Sequence, residues 1–119
     1  MLRPDNKRRS KIQERRTAQD FGGLTTPGSG NQWHSKGDVK TPNYLIECKT
    51  TSKDSYSLKS ATWSKIATEA LLEGKDPLME IEFIDRGVSL VVMDKNDFLA
   101  HMRDYHSQLS QELQQELGT

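Results

Sequence analysis

Residues 37–51, GDVKTPNYLIECKTT, constrain this chain more than any other stretch. Pro42-Asn43 reads as a two-residue turn, because Pro presets φ at the first corner and Asn tolerates left-handed φ at the second. A hairpin closed there pairs Thr41 with Tyr44 and sets Asp38 directly opposite Glu47. Cross-strand partners of this kind have Cβ atoms roughly 4.5–5.5 Å apart and point to one side of the sheet, so two carboxylates can grip one divalent cation. Lys49, two residues beyond Glu47, shares that side at about 6.6 Å by strand rise. Val39, Tyr44, Ile46 and Cys48 alternate onto the other face and are expected to seat the hairpin on a core. A solvated face carrying a surface Glu–Lys pair would show the same pattern, and spacing alone leaves both readings open.

At 119 residues the chain is expected to be one domain with a modest core. No apolar run approaches the roughly 18 residues of a membrane span, and the basic start lacks the apolar segment of a secretory signal, so a cytoplasmic protein is expected. The single cysteine, Cys48, excludes an internal disulfide and a thiolate zinc cluster. Net charge is zero, but residues 1–65 carry 13 Lys+Arg against 6 Asp+Glu and residues 66–119 carry 4 against 11, a net +7 followed by −7. The hairpin lies in the basic half, and local potential steers a polyanion better than the total does.

Residues 1–9, MLRPDNKRR, read as a basic arm that precedes a single domain over 10–119. A first helix is expected from 10 to about 20, with Ser10 and Gln13 as a capping box and Gly22-Gly23 as its stop. Residues 24–36 read as a long loop with a short strand near Leu24, in which Gly28 and Gly30 permit close backbone approach and Ser29 can donate to a phosphate. A second helix is expected over about 57–73, with Lys65 on a polar face. Two strands at 78–84 and 88–93 flank a tight turn at Asp85-Arg86-Gly87. Asp94 then caps a last helix with Phe98, Met102, Tyr105, Leu109 and Leu113 along one seam.

Asp38 followed by Glu47-Cys48-Lys49 resembles the PD-(D/E)xK nuclease motif, with Gly37 in the place of the family's Pro. The likeness extends over about residues 10–100. Glu14 in the first helix, the PGSG loop, the ECK strand, a Ser-rich start to the next helix and a strand pair leading into Asp97-Phe98 follow the order found in small Holliday junction resolvases of the archaeal type and their phage-encoded relatives. That resemblance implies an α/β, restriction-endonuclease-like mixed sheet of four to five strands flanked by helices, and a homodimer. It also implies Mg²⁺-dependent hydrolysis of DNA phosphodiesters, with Mn²⁺ as a substitute. Asp38, Glu47, the backbone carbonyl of Cys48 and Glu14 would hold the metal, with Lys49 as the remaining catalytic group. Lys7, Arg8, Arg9, Lys11, Arg15, Ser29 and Lys65 are the expected DNA contacts. Relatives with this core cut nicked, flapped or single-stranded DNA, and a non-catalytic DNA-binding module is the further alternative.

Overall fold

The computed structural model describes residues 6–26 and 38–118. Its elements run α1 (Asn6–Phe21), β1 (Leu24–Thr25), β2 (Val39–Lys40), β3 (Tyr44–Thr51), α2 (Ser60–Leu72), β4 (Asp76–Phe83), β5 (Val88–Met93) and α3 (Lys95–Glu116). The strands form one five-stranded sheet in the order β1-β2-β3-β4-β5. Strands β3 and β4 are parallel, and the other neighbours are antiparallel. Helix α2 is the crossover between the parallel pair, as a parallel connection requires. The chain is therefore α/β with a mixed sheet, as expected.

The hairpin register is the expected one. Val39 pairs with Ile46 and Lys40 with Leu45, and the Thr41 N–H donates to the Tyr44 carbonyl at 2.9 Å. The turn differs from expectation in one respect: among the described residues no non-glycine has positive φ, so Asn43 is not left-handed. The Thr41 hydroxyl closes the turn instead, accepting from the N–H groups of Asn43 (3.3 Å) and Tyr44 (2.9 Å).

The middle of the sheet is buried on both faces, since α1 and α2 cover opposite sides, whereas Val88, Leu90 and Val91 of β5 are exposed. On the α1 side Ala18 packs with Val39, Ile46, Cys48 and Leu78, with Phe21, Tyr44 and Met93 around them. On the other side Ile66 of α2 packs on Met79 and Ile81 with Tyr56, Trp63, Phe83 and Val92. Leu45, Ile46, Leu78 and Met79 are fully enclosed, each worth about 1.5–3 kcal/mol on full burial.

Helix α1 starts at Asn6, so residues 6–9 of the expected arm are helical and Ser10 lies inside the helix rather than at its cap. Lys and Arg are good helix formers and nothing at 6–10 breaks the run. Gly22, at φ 67°, ends the helix, with the Gly23 N–H donating to the Ala18 carbonyl at 2.8 Å. Gly23 also passes so close to β2 that a Cβ there would stand 2.5 Å from the Lys40 carbonyl oxygen. Helix α2 begins three residues later than expected, at Ser60. Strand β4 begins earlier, at Asp76, and takes in Pro77 at its second position, a strand end where the missing N–H is tolerated. The 84–86 segment makes a 3₁₀ turn closed by Gly87 at φ 63°. Asp94 caps α3 by accepting from Asn96 (2.8 Å) and Asp97 (3.3 Å).

Candidate functional site

Asp38 stands one residue before β2, where the short strand ends and β3 continues. Hydrogen bonds hold it in place: its N–H donates to Ile46 (3.0 Å), its carbonyl accepts from Thr26 (3.0 Å), and its Oδ2 accepts from the Cys48 N–H (2.8 Å). The carboxylate takes an N–H that a longer β2 would have paired. In a strand the N–H and C=O of one residue point to the same edge, so the Cys48 carbonyl faces the side on which Asp38 lies.

Glu47 and Lys49 share the other face of β3 from Cys48, with Lys49 Nζ 3.5 Å from Glu47 Oε1. Glu14 reaches Asp38 from α1. Burial, and next the Asp38 charge, push both glutamates up to about 7, and a hydrogen bond to Asp38 adds to the shift in each. Lys11 opposes the shift at Glu14 and Lys49 opposes it at Glu47. Glu14 from α1 and Glu47 from β3 thus each stand against Asp38 at the β2 edge, a crowding of carboxyls that favours a bound proton or cation.

Among the described residues, no group of three or more His, Cys, Asp or Glu side chains stands ready to hold a metal ion. The donor chemistry nevertheless suits Mg²⁺, a hard ion that needs only one or two carboxylates and keeps several waters. Asp38 and Glu47 could offer those oxygens, with the Cys48 carbonyl as a further hard donor. The Cys48 thiol is not one: it is buried in the α1-side core, and burial pushes its pKa up.

Of the expected phosphate contacts, Arg8, Lys11 and Arg15 follow the i, i+3, i+7 spacing of one face of α1 and are exposed, with Arg9 half-buried beside them. Lys7 lies in the first turn of the same helix. Lys65 is exposed on α2 one turn before Glu69, whose charge also raises the Glu47 pKa, so Lys65 shares the helix face that approaches the site. Ser29, with the rest of 27–37, lies outside the described residues.

Sequence reasoning missed Gln13, Thr17 and Glu80. Gln13 is fully buried, and its Nε2 donates to the backbone carbonyls of Lys49 (3.0 Å) and Glu80 (3.2 Å), pinning α1 across β3 and β4 beside the site. Thr17 donates to the buried Glu80 carboxylate at 2.9 Å. The i, i+4 spacing of Gln13 and Thr17 carried the signal, but a buried polar stripe is invisible to a search for apolar periodicity. Gln13→Ala takes the side-chain donor from one buried and one partly buried carbonyl, and urea denaturation is expected to show a loss of about 1–3 kcal/mol.

The raised glutamates make a second testable statement. Because Glu14 and Glu47 bind protons more tightly folded (about 7) than at their ordinary 4.5, their contribution is fully present below pH 4.5 and is lost as pH rises to about 7. The melting temperature of the cation-free protein is expected to fall over that window. Added Mg²⁺ or Ca²⁺ should restore it at pH 8 and leave it unchanged at pH 4.5, where the carboxyls hold protons.

Comparison with known proteins found no matching family model, no matching curated protein and no matching solved structure. No helix among the described residues is long and apolar enough to cross a membrane.

Proposed function

We propose that the chain is a Mg²⁺-dependent, structure-selective DNA endonuclease that cuts four-way junctions. The observation that carries this reading is the convergence of Asp38, Glu14 and Glu47 from three different elements, with Lys49 ion-paired at their rim. The order of the motif-bearing segments, which resembles that of small junction resolvases, favours branched DNA as the substrate.

Asp38 and Glu47 present the anionic oxygens for the ion, and the Cys48 carbonyl adds a neutral one. A bound Mg²⁺ supplies positive charge to the phosphoryl oxygens and acidifies water. Lys49, an ammonium on the strand that bears Glu47, orients the attacking water and stabilises the charge that grows on the phosphate. Glu14, with a pKa near the working pH, holds or releases a proton beside Asp38. Arg8, Lys11 and Arg15 on α1 contact flanking phosphates, and Lys65 does so from α2. A four-way junction presents two equivalent strands, which two copies of the chain about a two-fold axis match.

The test is cleavage of a synthetic four-way junction, a nicked or flapped duplex, a linear duplex and a single strand, each with Mg²⁺ and with EDTA. The reading expects Mg²⁺-dependent cutting of the junction ahead of the other forms. Preferential cutting of flaps or single strands makes the chain a nuclease of another substrate class. Binding to junctions without any cutting makes it a DNA-binding module.

A further inference from the structure

Helix α3 has 22 residues, none of them buried, and spans about 33 Å at 1.5 Å per residue. The radius of gyration, 17.1 Å, exceeds the roughly 13.5 Å expected of a compact domain of this length, and the long axis measures 61 Å. A hydrogen bond between the Tyr44 hydroxyl and His101 Nε2, 2.7 Å long, ties the second turn of α3 to the sheet.

The helix carries an exposed apolar stripe. Phe98 (52 %), Tyr105 (57 %), Leu109 (37 %) and Leu113 (54 %) are open to solvent, and Met102 lies between them half-buried. At 3.6 residues per turn His101 lies about 80° round the helix from the centre of this stripe, so the bond to Tyr44 leaves the stripe uncovered. From Phe98 to Leu113 the steps are four, three, four and four, which keeps the five side chains on one face of the helix.

Four of the five stripe positions are also placed symmetrically along the helix. Reversed about the point between Tyr105 and His106, Phe98 falls on Leu113, Met102 on Leu109, and Lys95 on Glu116. An antiparallel pair of these helices therefore sets Phe98 against Leu113 and Met102 against Leu109 on either side of the axis, Tyr105 against His106 at it, and a cation against an anion at each end. A parallel pair would set Glu112 and Glu116 against their own copies. Only a partner with the same sequence run in reverse makes use of such symmetry, which is the requirement of an isologous interface.

From this self-complementary seam we infer that a second copy of the chain packs its α3 antiparallel on this one, with the two-fold axis passing between Tyr105 and His106. The inference gives a surface to the two-fold pairing invoked for junction cutting. It is tested by mass and cross-linking, so its failure is distinct from a failure to cleave DNA.

Sedimentation equilibrium of the full chain at tens of micromolar is expected to give about twice the 13.5 kDa of one chain. Leu109→Asp should raise the dissociation constant on the order of 10²-fold with its far-ultraviolet helix signal retained. Lys95→Glu should weaken association roughly fivefold, and Lys95→Glu with Glu116→Lys should restore it. Under oxidising conditions His106→Cys should link two chains near the axis. Lys95→Cys should not, because two such residues are about 32 Å apart along an antiparallel pair. A monomeric wild-type chain, a dimer indifferent to Leu109→Asp and to the charge exchange, or linkage through Lys95→Cys rather than His106→Cys would overturn the inference.

Discussion

Asp38→Asn is expected to lower the single-turnover rate of Mg²⁺-dependent junction cleavage on the order of 10²–10³-fold, and Glu47→Gln to do the same. Asn keeps an oxygen that can accept from the Cys48 N–H, so the bond that fixes residue 38 at the β2 edge survives while the charge is lost. Gln is likewise nearly isosteric with Glu47. Burial is the first cause that pushes Glu14 and Glu47 up to about 7 and the Asp38 charge the second, so Asp38→Asn relieves repulsion at both glutamates and Glu47→Gln removes the repulsion between Glu47 and Asp38. Neither should lower the melting temperature at pH 8 in the absence of metal, and a gain is expected. That combination, activity lost with stability kept or raised, separates a chemical role from a structural one. Lys49→Ala should also lose rate, but it should bind the cation almost as well as wild type because it contributes no oxygen ligand. Near-normal Mg²⁺-dependent cutting by either acid variant would remove the site from the chemistry.

The second large effect is expected in the pattern of cutting rather than in its rate. Wild-type protein should release both strands of a junction from one binding event, nicking at symmetric positions. Leu109→Asp, which places a charge in the middle of the α3 seam, should nick one strand and leave the second to a separate encounter, so that nicked junctions accumulate. A cruciform in a supercoiled plasmid reads this directly: paired cuts give linear product at once, and separated cuts give nicked circles first. Leu109 faces solvent on a helix with no buried residue and is none of the residues assigned to the candidate site. The rate of the first nick should therefore change little. Equal yields of paired cuts from Leu109→Asp and wild type would divorce the seam from substrate processing.

The hairpin was legible because two simple rules coincide there. A Pro-Asn turn fixes the pairing sum, and alternation then decides which side chains share a face; both Val39–Ile46 pairing and the apolar face of Tyr44, Ile46 and Cys48 follow. The turn itself was misread in detail because the Thr41 hydroxyl, not a left-handed Asn43, closes it. Strand β5 and the Asp94 cap were readable from β-branched residues before an acid at a helix start. Less visible was the packing of the Glu47 face, where Leu45, Met79 and Ile81 lie buried under α2 on the same side as the two charged residues. Alternation reports which residues share a face, not how far along the strand a helix covers it.

Helix α1 was the hardest element to read. Its buried positions are Gln13, Thr17 and Ala18, and two of the three are polar because they meet backbone carbonyls and the Glu80 carboxylate rather than hydrocarbon. That same packing aims Glu14, the next residue after Gln13, toward Asp38. The resemblance to nucleases placed Glu14 in the site, whereas its mechanical support could be seen only in three dimensions.

The central claim is that the acids drawn together by α1, the β2 edge and β3 hold a divalent cation. Calorimetric titration of the metal-free protein with Mn²⁺ at pH 7, repeated in buffers of different ionisation enthalpy, tests it directly. Displacing the protons held by carboxyls with pKa values near 7 should accompany binding. The account predicts saturable binding with net proton release by wild type, and loss of both in Asp38→Asn. Absence of saturable binding, or the same binding and proton release from Asp38→Asn, would contradict it.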